Sequence, residues 1–202
     1  MISSKFTNKE ILFLKGWLKG RGFNNALKAI HLAERAHIDL KRKSGEPFIS
    51  HPIRIANALV SLGVEDEDTI VIAILHDILE DTELTKEYLL TIFTEDVVEA
   101  IDLLTKKDDV SIDDYYKDIF YNPKACIVKI ADRCHNVSTM YFFNEEKTAN
   151  YIKETETYII PLCSAISNNY PYLSNYIYSM KYHIESILET SKHFLNKLSS
   201  LK

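Results

Sequence analysis

The sequence predicts an all-α fold in a single domain, and three observations carry that prediction. Apolar residues recur at spacings of three and four through most of the chain. The five glycines and five prolines are few and fall between those runs as punctuation. The one segment that reads equally well as a buried strand, residues 125–131, has no partner strand elsewhere. With 202 residues, 46% of them hydrophobic, folding buries roughly 70% of the surface the unfolded chain exposes. That is enough for one core and excludes the disordered and small disulfide-scaffold classes.

The elements follow in order. Over residues 24–43, Ala26, Leu27, Ile30, Ala33, Ala36, His37 and Leu40 form the stripe of a helix that packs on one face. Pro52 presets φ where a helix begins, and Ile53, Ile55, Ala56, Leu59, Val60 and Leu62 carry that helix to a stop at Gly63. Asp66, Asp68 and Thr69 open the next one, matching the positive end of the helix dipole. Residues 70–79 are apolar almost all round, which predicts a central, buried helix and good scaffolding for a site. Ser111-Ile112-Asp113-Asp114 reads as a capping box that starts a short helix through Phe120. Residues 124–136 read as a helix because the apolar run continues into a charged stretch with the same spacing. From Leu173, the residues Tyr176, Ile177, Met180, Ile184, Ile187, Leu188, Phe194, Leu195 and Leu198 predict a long C-terminal helix over about 172–199. No repeat, low-complexity segment or dividing linker interrupts residues 1–202.

Twenty-four Lys and Arg against 29 Asp and Glu give a net charge of −5, the wrong balance for attraction to nucleic acid or an anionic membrane. The longest apolar run, residues 70–75, is far short of the roughly 20 that span a bilayer, and residues 1–5 carry no apolar signal core. Cys126, Cys134 and Cys163 are odd in number and lack a C-x-x-C spacing, which predicts reduced thiols packed as small core residues. A cytoplasmic protein is expected.

The chemistry concentrates in Leu75-His76-Asp77-Ile78-Leu79-Glu80-Asp81-Thr82, where four ionisable groups sit in the most hydrophobic helix. Such groups are costly there without a purpose. On one helix the three- and four-residue spacings put His76, Asp77, Glu80 and Asp81 on the same side. Asp132, His135, Asn136 and Thr139 repeat the pattern, and His51 precedes Pro52 at a helix start. Nitrogen with carboxylate oxygen suits Mn2+ or Fe2+, and oxygen alone suits Mg2+. A lone buried histidine is more often a hydrogen-bonded core residue, but carboxylates at 80, 81 and 132 in apolar surroundings tip the balance to a metal site. His31, His37, His183 and His193 read as structural or exposed, and the tyrosines between 141 and 182 as packing residues.

The runs Arg42-Lys43-Ser44-Gly45-Glu46-Pro47-Phe48-Ile49-Ser50-His51-Pro52, Leu75 to Thr82, and Lys129-Ile130-Ala131-Asp132-Arg133-Cys134-His135-Asn136 resemble the hydrolase domain of Rel/Spo-type alarmone enzymes. These are HD-superfamily proteins that remove the 3′-pyrophosphate of (p)ppGpp. The likeness runs from about residue 26 to about 162 with the motifs in order. It implies an HD-domain helical bundle, and the chain length implies a stand-alone small alarmone hydrolase without the synthetase and regulatory domains. Carried over, it implies that His51, His76, Asp77 and Asp132 bind one Mn2+ and that Glu80 and Asp81 form the catalytic acidic pair. Arg42, Lys43 and Ser44 would border the nucleotide, Asn136 and Thr139 its sugar or phosphate side, and the products would be pyrophosphate and GDP or GTP. The sequence does not divide the roles of Glu80 and Asp81 between water activation and proton delivery to the leaving oxygen.

The acidic chain needs a local basic patch for a polyanion, and Lys41-Arg42-Lys43 supplies one, although for Lys41 a solvated helix end fits better. Lys129 and Arg133 read either as substrate contacts or as partners that steady the metal-site carboxylates, and His135 as a support for the ligands. Two positions depart from the family pattern: Ser138 stands where an arginine is usual, and Tyr158 lies one position early. Residues 105–110 read as a mobile rim or a plain surface turn. Two other readings stay open, an HD phosphohydrolase for another nucleotide and a silent module that binds an alarmone without turnover.

Overall fold

In the computed structural model, which describes the backbone of residues 2–200 and the side chains of 7–197 and 200, the elements are helices with a single isolated antiparallel bridge, Lys41 to Pro47. Residues 1–5 of the expected signal-free start and Leu198 of the predicted stripe lie outside the described side chains. Residues through Val128 form one compact unit and those from Lys129 a second.

The first unit contains α1 (Ile2–Arg21), α2 (Asn24–Ala36), α3 (Ser50–Ser61), α4 (Glu67–Leu75), α5 (Ile78–Asp81), α6 (Lys86–Leu90), α7 (Glu95–Leu104) and α8 (Ile112–Phe120). The boundary between units falls inside α9 (Pro123–Ser138), which is helical throughout, as its continuation into a charged stretch predicts. Helix α4 is the centre of the first unit. Asp66 caps it by accepting from the backbone N–H of Thr69 at 2.9 Å, and every residue from Thr69 to Leu75 is buried. It packs against α2, α3 and α7, so each of its isoleucine and leucine side chains contributes about 1.5–3 kcal/mol of apolar burial. Gly63, at φ +94°, ends α3 in the left-handed region, and Val64 N–H closes the turn on Leu59 O at 3.0 Å.

Helix α2 stops at Ala36, seven residues before the predicted end at Lys43. The chain instead folds into a clasp over residues 40–48. Phe48 N–H donates to Leu40 O at 2.9 Å, Arg42 N–H to Glu46 O at 2.9 Å and Gly45 N–H to Arg42 O at 2.8 Å. Gly45 turns the clasp with φ +83°, a conformation that a side chain would oppose. Lys41 therefore stands in the clasp and not at a helix end. Ser111 caps α8 as predicted, accepting from Asp114 N–H at 3.1 Å, while its own hydroxyl donates to the Asp114 carboxylate at 2.7 Å.

The second unit holds the rest of α9, a 3₁₀ turn at Met140–Phe142, α10 (Glu145–Glu154), a π-helical turn at Thr155–Ile159, α11 (Ile160–Asn169), a 3₁₀ turn at Pro171–Leu173 and α12 (Ser174–Ser199). The long C-terminal helix packs on α10 and α11. Ile177, Met180, Ile184 and Leu188 of its stripe are buried, whereas Phe194 is exposed. No disulfide joins cysteines among the described residues, and burial pushes the Cys163 thiol up to about 12. No described helix is long and apolar enough to cross a membrane.

Candidate metal centre

The site is built where the central helix stops. Helix α4 ends at Leu75, His76 follows in helical conformation, and Asp77 leaves it at φ −99°, ψ 1° before α5 begins. The single continuous helix expected through Asp81 is therefore broken at His76 and Asp77. Asp77 O accepts from the N–H groups of both Glu80, at 3.2 Å, and Asp81, at 2.9 Å. The bridge region of backbone space that Asp77 occupies is a common place for site residues.

The break brings three ligand atoms together. His51, in the first turn of α3, and His76 are both buried, and their Nε2 atoms lie 3.2 Å apart. Asp77 Oδ2 is 3.3 Å from Nε2 of His51 and 3.1 Å from Nε2 of His76. Among the described residues this is the one group of three His, Cys, Asp or Glu side chains whose ligand atoms lie within 4.8 Å of one another. His76 Nδ1 faces Ala73 O at 2.9 Å. A carbonyl only accepts, so Nδ1 carries the proton and Nε2 presents its lone pair to the group. Ligands about 2.1 Å from one ion stand about 3.0 Å apart at octahedral and about 3.4 Å apart at tetrahedral angles. The three observed edges fall in that interval, so two imidazoles and a carboxylate fit a divalent metal. Burial pushes the Asp77 carboxyl up, but the His76 and His51 rings overcome that and hold it well below the usual carboxylate range.

Glu80 and Asp81 follow directly. Glu80 is exposed, and its Oε2 accepts the backbone N–H of Lys106 at 3.4 Å. That contact comes from residues 105–110, an exposed turn steadied by an ion pair of Lys107 with Asp102 at 2.9 Å. Asp81 is also exposed, yet partial desolvation of its carboxyl and then the negative charges of Asp77 and Glu80 push its pKa up to about 6.

Of the predicted nucleotide contacts in the first unit, Arg42 is half-buried with its guanidinium 5.8 Å from the Phe48 ring centroid, and Lys43 and Ser44 are exposed on the clasp. The clasp is tied to α3 by a residue that sequence reasoning passed over. Arg54 donates to both Glu46 oxygens, at 2.8 and 3.1 Å, and through Nε to Glu10 at 2.9 Å. Its position one turn after His51 was the available signal.

In the second unit Asp132 is buried, Asn136 Nδ2 donates to its Oδ1 at 2.6 Å, and Lys129 Nζ lies 3.5 Å from its Oδ2. Lys129 thus steadies a predicted ligand. Arg133 pairs elsewhere, with Glu154 at 2.6 Å and Thr155 Oγ1 at 3.0 Å, over the Tyr151 ring at 4.0 Å. Thr139 is half-buried and donates to Asn136 O at 3.1 Å. Ser138 donates to Cys134 O at 2.8 Å and meets His183 Nε2 at 2.8 Å, and Tyr158 sits in the π-helical turn.

Residues 29–113 match the HD domain family. The chain is 38% identical over 144 residues to a probable GTP pyrophosphokinase of Mycobacterium leprae, covering 67% of this chain and 18% of that protein. It is 37% identical over 143 residues to a guanosine-3′,5′-bis(diphosphate) 3′-pyrophosphohydrolase of Aquifex aeolicus, covering 67% of this chain and 20% of that protein. A protein of the same name from Borreliella burgdorferi is 28% identical over 181 residues, 84% of this chain and 25% of its own length. The chain spans about a fifth of the length of the curated relatives it matches. Its fold matches a solved structure described as a metazoan ortholog of SpoT that hydrolyzes ppGpp, with a TM-score of 0.66 at 19% identity over 82% of this chain and 94% of the other.

Proposed function

Since this chain carries an HD domain of the Rel/Spo hydrolase type, we propose that it hydrolyses the 3′-pyrophosphate of (p)ppGpp, giving GDP or GTP and pyrophosphate. The observation that carries the reading is the triangle of His51, His76 and Asp77 with Glu80 and Asp81 directly after it. A pure binding module has no need of two further carboxylates beside such a cluster. In this reading His51, His76 and Asp77 hold the ion. Asp132 is added as fourth ligand on the strength of the motif resemblance, which treats residues 1–202 as one hydrolase domain. Two nitrogen donors favour Mn2+ over Mg2+. Such an ion, when bound, acidifies water and offsets charge on phosphoryl oxygens.

The chain's own residues do the rest. Glu80, exposed beside the cluster, takes a proton from the attacking water. Water oxygen bonds to the phosphorus next to the 3′-oxygen, the bond from that phosphorus to the 3′-oxygen breaks, and pyrophosphate leaves. Asp81, whose raised pKa keeps a share of it protonated, gives its proton to the 3′-oxygen. Arg42, Lys43 and Ser44 border the nucleotide, and Asn136 and Thr139 its sugar or phosphate side. The substrate is a small guanine nucleotide, not nucleic acid, met in the cytoplasm. Product analysis of ppGpp incubated with the purified protein tests the reading. GDP and pyrophosphate in equal amounts support it, and GDP with two orthophosphates, or intact ppGpp, refutes it.

A further inference from the structure

We propose that His37 is a positioning residue: by stacking on Phe48 it sets the clasp of residues 40–48 and so the guanidinium of Arg42 that meets the nucleotide. The inference rests on the function proposed above for the role of Arg42, but its structural basis is independent of it.

His37 stands just past the end of α2 and is only 2% exposed. Its ring lies 4.9 Å from that of Phe48 at an interplanar angle of 21°, a stacked pair that adds to the packing of both rings. Its Nδ1 faces Ala33 O at 3.0 Å. The acceptor is a carbonyl, so Nδ1–H donates and fixes the ring plane against which Phe48 lies. Burial lowers the pKa of His37.

Phe48 passes this constraint on in two directions. Its backbone N–H closes the clasp on Leu40 O at 2.9 Å, and its ring receives the Arg42 guanidinium at 5.8 Å, within reach of a cation–π contact. Its edge also meets the His51 ring at 6.1 Å and 72°. The other side of the clasp is pinned by the fork of Arg54 on Glu46. Two anchors thus hold a loop that has no sheet to support it, and His37 is the buried one. A packing role alone is met as well by leucine, which presents no flat face to Phe48.

The test compares His37→Ala, His37→Phe and the parent for KM and kcat on ppGpp, Mn2+ affinity by calorimetry, and amide hydrogen exchange in the ligand-free protein. His37→Ala is expected to raise KM about five- to tenfold, the effect of losing one aromatic pair, with kcat and Mn2+ affinity within about twofold of the parent. Exchange should quicken in residues 40–48, and His37→Phe, which keeps a flat ring against Phe48 but lacks the Nδ1–H that fixes its plane, should restore both KM and exchange in part. An unchanged KM with unchanged exchange overturns the proposal, as does a fall in Mn2+ affinity that matches the rise in KM, which would assign His37 to the metal cluster. Where His37→Ala does not fold, Phe48→Leu in its place, which removes both the stack and the ring that receives Arg42, should raise KM by at least that factor, and a parental KM there overturns it. If the parent itself leaves ppGpp intact, the function reading fails, while exchange in residues 40–48 still decides whether His37 sets the clasp.

Discussion

His51 and His76 face each other Nε2 to Nε2 at 3.2 Å although 25 residues separate them. The His76 ring is held in that pose by its bond to Ala73 O, so its lone pair points at a second imidazole and at Asp77. Polar atoms so converged in a buried place gain most from a shared cation.

That arrangement predicts a metal-linked stability. Mn2+ at about one hundred times its Kd should stabilise the chelated protein by about 2.7 kcal/mol, read as a rise in Tm. Asp77→Ala, which removes the carboxylate edge of the triangle, should lose most of that rise and all hydrolysis.

Glu80 and Asp81 belong to no edge of the triangle. Glu80→Gln and Asp81→Asn should each lower kcat about a hundredfold or more, the usual worth of a general acid or base. Both should keep the Mn2+-dependent Tm shift of the parent, which thermal melts with and without metal will read.

Asp81 also sets a pH dependence. Its folded pKa of about 6 lies above its ordinary value of 3.8, so folding favours the protonated form. That contribution to stability is full below about 4 and is lost as pH rises through about 6. In urea titrations with chelator present, Asp81→Asn should therefore gain on the parent between pH 4 and 7 and stay level above it.

Arg133 is buried against Glu154, Thr155 and Tyr151. Glu154→Gln leaves a buried guanidinium short of its counter-charge, which should cost about 3 kcal/mol in urea unfolding. Arg133→Met, which removes the charge as well, should cost less.

The parts legible in sequence were those where local pattern and burial agree. Helix α4 combines the Asp66 cap with an apolar surface all round, and its centrality could be read directly. In α1 the buried Leu14 and Leu18 alternate with exposed Leu12 and Phe13, which blurs the stripe. Helix α2 ends before the point its spacing predicts, because His37 and Leu40 continue the helical pattern into a segment that Gly45 and Pro47 turn into the clasp. The break at His76 and Asp77 has no breaker residue, since neither glycine nor proline lies between Gly63 and Pro123. The residues of the triangle stand in the runs that carry the family resemblance, and His37, read as structural, is buried, whereas Arg54 stood out in no pattern because its partners, Glu46 and Glu10, are brought to it only by the folded chain.

The most direct measurement is ppGpp turnover followed while the chelated protein is reloaded with Mn2+, with bound metal measured in the same samples. The account predicts no turnover without metal and release of GDP and pyrophosphate in proportion to occupancy, levelling at one ion per chain. Full turnover after chelation, or none with one ion bound, would contradict it.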